Sequence, residues 1–173
     1  MKTAAVLILL ALFFWAVFIY NRLVRDRNRV LAAWSDIDVQ LKRRHDLIPK
    51  LVEAVRQYAA YEQSTLSALT QLRAESRQVS EVDRKGPLEQ AIGEGVQRLL
   101  AVAEAYPELK ANENFIALQR EVSEVENQIQ YARRYYNGAV RALNIRIDSF
   151  PDLMLARTFS YRHAAYFVME DRT

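Results

Sequence analysis

An uncharged apolar run near the start of the chain restricts the fold more than any other feature of the sequence. Residues 3–20 read TAAVLILLALFFWAVFIY, and 18 residues of helix would rise about 27 Å, close to the roughly 30 Å hydrocarbon core of a bilayer. A cleaved signal peptide needs a shorter apolar core and a small-residue cleavage site, whereas Phe18, Ile19 and Tyr20 occupy that place. The pattern predicts an uncleaved transmembrane anchor over residues 1–21.

The flanks of this run differ in charge. Only Lys2 and the terminal amine precede it, whereas the segment after it contains four arginines offset by Asp26, namely Arg22, Arg25, Arg27 and Arg29. Because the more basic flank usually stays in the cytoplasm, we expect the N-terminus outside and the bulk of the chain inside. These arginines fit a stop-transfer signal as well as contact with anionic headgroups. Residues 22–33 are predicted to form a basic juxtamembrane stalk.

An amphipathic pattern begins where the stalk ends. Its members recur at spacings of three and four, with Arg44 as the one polar position: Trp34, Ile37, Leu41, Arg44, Ile48, Leu51, Val55 and Tyr58. No glycine occurs before Gly86, so we expect one helix from the apolar run to about Ser80. Lys85-Gly86-Pro87 is the expected break, because Gly suits a helix end and Pro the first turn of the next helix.

Three further helices are predicted downstream. The first should run from Pro87 to about Ala105, and Asn112 should cap the next. That long helix carries the apolar stripe Phe115, Leu118, Val122, Val125, Ile129, Ala132, Tyr136, Val140, Leu143 and Ile147. Phe150-Pro151 should end it, and a short helix should follow from Asp152 to about Phe167.

These elements indicate an all-α fold. The sequence has four Gly and four Pro, and strong helix formers dominate it. Short turns favour antiparallel neighbours, so we expect the single-pass transmembrane helix to continue into an elongated antiparallel helical bundle over residues 34–173, with three long helices and a short C-terminal one.

The stretch WSDIDVQLKRRHDLIPKL, residues 34–51, is the densest in charged side chains. Asp38 with Lys42, and Asp46 with Lys50, have the i,i+4 spacing of helix-supporting ion pairs. The basic cluster LKRRH, residues 41–45, is interpreted as a solvated face rather than as a contact for acidic partners. Pro49 lacks the backbone donor for the His45 carbonyl, so it should kink the helix or free that carbonyl for another partner.

Catalytic and metal-binding patterns are weak throughout. The chain has no cysteine, and His45 lies about 10 Å along a helix from Asp38, too far for a hydrogen bond. A metal-dependent hydrolase using Asp38, His45 and Glu62 is the weakest hypothesis, and Glu121, Glu124 and Glu126 are interpreted as solvated. We therefore predict no catalytic residue, no cofactor and no bound metal. The mild net charge of +3, with acids and bases interspersed, argues against nucleic acid as a partner.

Five ordered motifs resemble the LemA family of bacterial membrane proteins: YNRLVRDRNRV, AWSDIDVQLKRRHDLIPKLVEAV, RLLAVAEAYPELKANENFIALQREV, ENQIQYARRYYNGAVRALN and SFP. The resemblance covers the chain from about Tyr20 onward. It implies a helical bundle on a single anchor in the bacterial inner membrane, without a known catalytic centre or cofactor. Family genes are often associated with those of membrane zinc metalloproteases or TPM-type membrane proteins, and one branch resembles magnetosome proteins. The chain departs from the common pattern at Lys50, where Asn is frequent, and at Tyr61, where His is frequent.

The leading functional hypothesis is a non-enzymatic, membrane-anchored scaffold that self-associates or docks membrane proteins. Its partners would be the lipid bilayer, further copies of the chain, and a membrane metalloprotease or TPM-type protein. The alternative is an adaptor that regulates a membrane zinc metalloprotease or a sensor kinase in envelope stress or signalling. The C-terminal run FSYRHAAYFVM, residues 159–169, is expected to close the end of the bundle, and contact with a bilayer or a neighbouring subunit is the open alternative. The candidate partner surface comprises Lys42, Arg43, Asn112, Phe115, Tyr131 and Tyr135.

Overall fold

The computed structural model describes residues 2–59 and 62–169, and within them every regular element is a helix. The helices are α1 Lys2–Arg56, α2 Gln63–Gln78, α3 Val82–Glu104, α4 Pro107–Lys110, α5 Glu113–Asp148 and α6 Asp152–Thr158. The all-α helical bundle predicted from the sequence is therefore confirmed. The chain divides into two compact units, one formed by the part up to Ser35 with Tyr135–Ala165 and the other by Asp36–Arg134 with the segment from Tyr166 onward.

Helix α1 begins in the apolar run and continues without interruption to Arg56. By length and composition it is the described helix that could span a membrane. Its large apolar side chains from Val6 to Phe18 are exposed, whereas Ile19 and Leu23 are buried. The predicted continuation to about Ser80 is wrong, because the chain turns at Gln57–Tyr58 and starts α2 at Gln63.

Helix α2 explains why α1 stops without a glycine or proline. After the turn, α2 packs against α3 and buries Leu66 and Leu69. Helix propensity is a weak preference that tertiary packing routinely overrides. Burial of this apolar face outweighs the helical tendency of residues 57–59.

The expected break at Lys85-Gly86-Pro87 is also wrong, since all three residues lie inside α3. The chain is instead extended at Val79 and Glu81, just before the helix begins. Gly86 serves another purpose, because a Cβ placed there would collide with the Val168 carbonyl oxygen. The glycine thus permits a close approach of the C-terminal segment to α3.

Helix α5 agrees closely with the prediction. The Asn112 side-chain oxygen accepts hydrogen bonds from the backbone N–H groups of Asn114 and Phe115, at 3.0 and 3.1 Å. This is the side-chain cap that the sequence indicated. The predicted stripe is largely buried, including Val122, Val125, Ile129, Tyr136, Val140, Leu143 and Ile147.

Helix α6 is shorter than predicted, since it ends at Thr158 and residues 161–169 are not helical. Side chains of α5 bond the backbone that a longer helix would have used internally. The Asn144 amide bonds both the N–H and the carbonyl of Ala164, at 2.9 and 3.0 Å, and the Tyr136 hydroxyl donates to the Ala165 carbonyl at 2.8 Å. These bonds satisfy the extended backbone and stabilise it against helix formation.

Candidate functional site

The most concentrated group of polar side chains in the described residues is buried inside the second unit. We call it the buried ionic cluster, and its members come from four helices: Arg44 and His45 of α1, Ser76 of α2, Glu89 of α3 and Glu126 of α5. Arg44, His45, Ser76 and Glu89 are all buried. A charge in such a place must be paired and hydrogen-bonded, because desolvation of an unpaired ion is very costly.

Glu89 is the centre of this cluster. One carboxylate oxygen accepts from the Arg44 guanidinium, and the other accepts from Ser76 Oγ and lies 3.0 Å from His45 Nε2. Since an ionised carboxylate only accepts hydrogen bonds, His45 Nε2 carries the proton in this contact. Arg44 also donates to the Glu89 backbone carbonyl at 2.9 Å.

Glu126 provides a second counter-charge for Arg44. Arg44 Nη1 lies 3.1 Å from each carboxylate oxygen of Glu126. The interpretation of Glu126 as solvated is therefore wrong, because the partly buried carboxylate belongs to the cluster. Its position beside the apolar stripe of α5 directs it inward to the guanidinium.

The cluster holds Glu89 in its ionised form. Burial acts to raise the pKa of Glu89, but the hydrogen bond from His45, the Arg44 charge and the Ser76 hydroxyl together outweigh it and lower the pKa from 4.5 to about 2. A general acid or base near neutral pH needs a pKa close to that pH. The arrangement suits a fixed structural charge better than proton transfer.

The interpretation of residues 41–45 as a solvated face needs correction. Arg44 and His45 are buried, whereas Lys42 and Arg43 are exposed as expected. The signal for Arg44 was its position within an otherwise apolar stripe. The burial of His45 had no local signal, because its partner Glu89 lies 44 residues away in the chain.

Pro49 frees the His45 carbonyl, as predicted, and the structure shows its partner. Arg73 Nε of α2 donates to this carbonyl at 2.6 Å. The carbonyl is therefore used within the protein rather than left for another molecule. Pro49 thus helps to fix α2 beside α1. Because Pro49 has no N–H to bond the His45 carbonyl within the helix, that carbonyl can accept from Arg73.

The residues of the hydrolase hypothesis do not come together as proposed. Asp38 forms ion pairs with Lys42 at 2.7 Å and Lys85 at 3.8 Å, while His45 contacts Glu89. The first of these pairs is the predicted helix support. Within residues 2–59 and 62–169, no group of three or more His, Asp or Glu side chains could hold a metal ion. Tyr61, one of the two departures from the family pattern, lies outside the described residues.

The candidate partner surface divides into three parts. Lys42 and Arg43 are exposed on α1, and Arg43 bonds Gln40. Asn112 is occupied as the α5 cap, and Phe115 is buried, so the expectation that these two form a contact surface is not supported. They line instead a cavity of about 430 Å³ next to Lys50.

The third part of that surface consists of two aromatic side chains on α5. Tyr131 is 61% exposed and Tyr135 is 57% exposed, one helical turn apart. The Arg134 guanidinium lies 4.8 Å from the centre of the Tyr131 ring, a cation–π contact. Exposed Tyr and Arg are the residue types enriched at protein interfaces.

The arginines after the apolar run are exposed, and Arg22 lies 5.6 Å from the centre of the Phe18 ring. Asp26, the acid in the same segment, does not offset the charge of these arginines at the surface. Asp26 is buried and bonds Arg146 of α5, which also bonds Asp152 at 3.0 Å. Burial of this acid leaves the flank with more exposed positive charge than the sequence suggested.

The LemA family model matches residues 33–173. The chain belongs to the LemA family. A LemA protein of Metamycoplasma hominis is 30% identical over 149 residues, covering 85% of this chain and 68% of that protein. The resemblance inferred from the five motifs is thus confirmed.

Magnetosome proteins are also among the relatives of this LemA-family chain. MamQ 2 of Paramagnetospirillum magneticum is 26% identical, covering 86% of this chain and 64% of its own length. MamQ of Magnetospirillum gryphiswaldense is 23% identical over 96% of this chain and 71% of its own length. The chain therefore spans about two thirds of the length of these relatives.

Proposed function

We propose that this LemA-family protein is a non-enzymatic helical scaffold that is anchored in a membrane and self-associates. The observation that carries the proposal is the continuity of α1. This helix of 55 residues, about 82 Å long, begins in the apolar run and provides Leu41, Leu51 and Val55 to the buried core. A single helix thus connects the anchor to the folded part.

The buried ionic cluster supports a structural role. The Arg44 guanidinium and the Glu89 carboxylate are bonded to each other, and their further partners are His45 of α1, Ser76 of α2 and Glu126 of α5. Within the described residues Arg44 Nε has no partner, but the other charged atoms of the pair are bonded, and buried charges paired in this way specify how helices pack. The MamQ relatives are named for a cellular structure rather than for a reaction, which is compatible with a scaffold.

The exposed aromatic face of α5 supports self-association. We define this face as Tyr131, Arg134 and Tyr135. Aromatic and arginine side chains supply much of the binding energy of interfaces, because they bury large areas at low entropic cost. A second copy presenting the same face would give a symmetric contact, the commonest arrangement in homo-oligomers.

The membrane topology is part of the proposal. The basic flank favours an anchor in the bacterial inner membrane, with the N-terminus outside and the bundle in the cytoplasm. The asymmetry comes from Arg22, Arg25, Arg27 and Arg29, all exposed on the flank after the apolar run. A reporter fused after the C-terminus that is active only in the cytoplasm tests this orientation.

Native mass spectrometry of the full chain in detergent micelles or nanodiscs tests self-association. We expect oligomers for the natural sequence and a shift to monomer for the double variant Tyr131→Ser/Tyr135→Ser. Val39→Ser, which changes an exposed apolar residue of α1, is the matched control and should leave the oligomers unchanged. A natural sequence that is monomeric at all concentrations would contradict the proposal. Stoichiometric capture of one other membrane protein by that monomer would favour an adaptor.

A further inference from the structure

The corner between α5 and α6 presents an unusual number of exposed apolar side chains. Phe150 is 79% exposed, Met154 is 60% exposed and Phe159 is 52% exposed. Soluble proteins rarely place several large apolar residues together in water without a binding role. We call Phe150, Met154 and Phe159 the apolar corner.

Phe159 of the apolar corner lies beside the end of the apolar run. The ring of Phe159 packs on that of Tyr20, the last residue of the uncharged run, with 4.8 Å between the ring centres. Ile19 and Leu23 are buried, whereas the large apolar residues before Ile19 are exposed. The folded part of this unit therefore begins to cover α1 where the helix would leave the hydrocarbon core.

The charges around the corner suit an anionic surface. Arg157 and Arg162 are exposed, whereas the acid in the same segment, Asp152, is buried and paired with Arg146. The neighbouring acid Asp148 is exposed and bonds His163, so two exposed arginines stand against one exposed acid in this segment. Exposed arginines beside apolar side chains are the pattern of protein surfaces that bind anionic lipid headgroups while burying apolar groups below them.

We propose that the apolar corner is a second membrane contact, which inserts Phe150, Met154 and Phe159 into the interfacial layer of an anionic bilayer next to α1. The inference rests on the proposed anchoring by α1, because that helix holds the corner at the bilayer surface. An interfacial site of this size binds weakly alone, but a covalently attached anchor raises its effective concentration at the membrane. The contact would fix how the unit stands on the bilayer.

Site-specific labelling tests this contact directly, because the natural chain has no cysteine. The full chain with Met154→Cys carries a bimane fluorophore and is reconstituted into vesicles of phosphatidylcholine and phosphatidylglycerol that contain nitroxide-labelled lipid. Leu31→Cys is the matched control, since Leu31 is exposed to a similar degree in the same unit. It lies eleven residues beyond Tyr20, about 16 Å further along α1. Phe14→Cys, inside the span, reports on the anchor itself.

We expect lipid quenching at Met154→Cys at least about twofold stronger than at Leu31→Cys, because the interfacial layer reaches the first site and not the second. Equal quenching at the two sites, with strong quenching at Phe14→Cys, would overturn the membrane contact and leave the anchor intact. Weak quenching at Phe14→Cys would instead overturn the anchoring on which it rests. Protection of Met154→Cys from both lipid quencher and aqueous iodide would also overturn the proposal, since a second copy would then cover the corner.

Discussion

Glu89 accepts hydrogen bonds from three side chains of the buried ionic cluster, so its charge is the one whose removal should affect the fold most. We expect Glu89→Gln to lower the free energy of unfolding by about 3–5 kcal/mol, because Arg44 then loses its most buried counter-charge. Glu53→Gln removes an exposed ion pair with Arg56 and should cost less than about 1 kcal/mol. Chemical denaturation followed by circular dichroism measures both, and similar losses would contradict the structural role of Glu89.

The same carboxylate predicts a dependence of stability on pH. Its pKa is about 2 in the folded chain and near 4.5 when unfolded, so the unfolded chain binds the proton more tightly. The stabilisation is fully present above about pH 4.5 and is lost as the pH falls towards about 2, a change of about 3 kcal/mol. Denaturation across this range should show the loss for the natural chain and a smaller one for Glu89→Gln. If the free energy of unfolding falls equally with pH in both proteins, groups other than Glu89 cause the acid sensitivity.

The roles of single residues were predictable where residue type and neighbouring sequence positions determine them. Asn112 has the side chain and position of a helix cap, and Pro49 lacks a donor whatever surrounds it. The partners of His45 and Arg44 could not be predicted, because Glu89 and Glu126 lie on other helices, 44 and 82 residues away. Their meeting depends on how the helices pack, which periodicity alone does not specify.

At the scale of elements, two glycines give opposite predictions. Gly86→Ala should lower the free energy of unfolding by roughly 1–3 kcal/mol, because the new Cβ would meet the Val168 carbonyl of the C-terminal segment. Gly138→Ala is the matched control within α5, where nothing lies within 4 Å of the added Cβ, and it should stabilise the protein by about 0.5–1 kcal/mol. Thermal denaturation measures both, and a stabilised Gly86→Ala would contradict the close contact.

Helix ends show the limit of sequence interpretation more clearly than helix interiors. The apolar stripe of α5 repeats over about nine turns, so its existence and buried face were predictable from spacing. The end of α1 and the length of α6 were not, because tertiary contacts help to set them. Packing of Leu66 and Leu69 favours the end of α1, and the bonds from Asn144 and Tyr136 help to set the length of α6.

At the scale of the whole molecule, we propose that one long helix connects a membrane anchor to a bundle whose buried polar side chains serve packing. The surface that remains for other molecules includes the aromatic face of α5, Tyr131, Arg134 and Tyr135. The sequence indicated both tyrosines as contact residues but also assigned Phe115 to the surface, because a stripe at helical spacing does not reveal which neighbouring helix covers it. Self-association is therefore the central claim to test.

Disulfide cross-linking in native membranes tests self-association most directly. A single cysteine at Tyr131→Cys or Tyr135→Cys should give a covalent dimer on mild oxidation, because the aromatic faces of two copies would meet. Val39→Cys, exposed on α1 and outside that face, should give little dimer. Dimer yields at both tyrosine positions no higher than at Val39→Cys would contradict the self-associating scaffold.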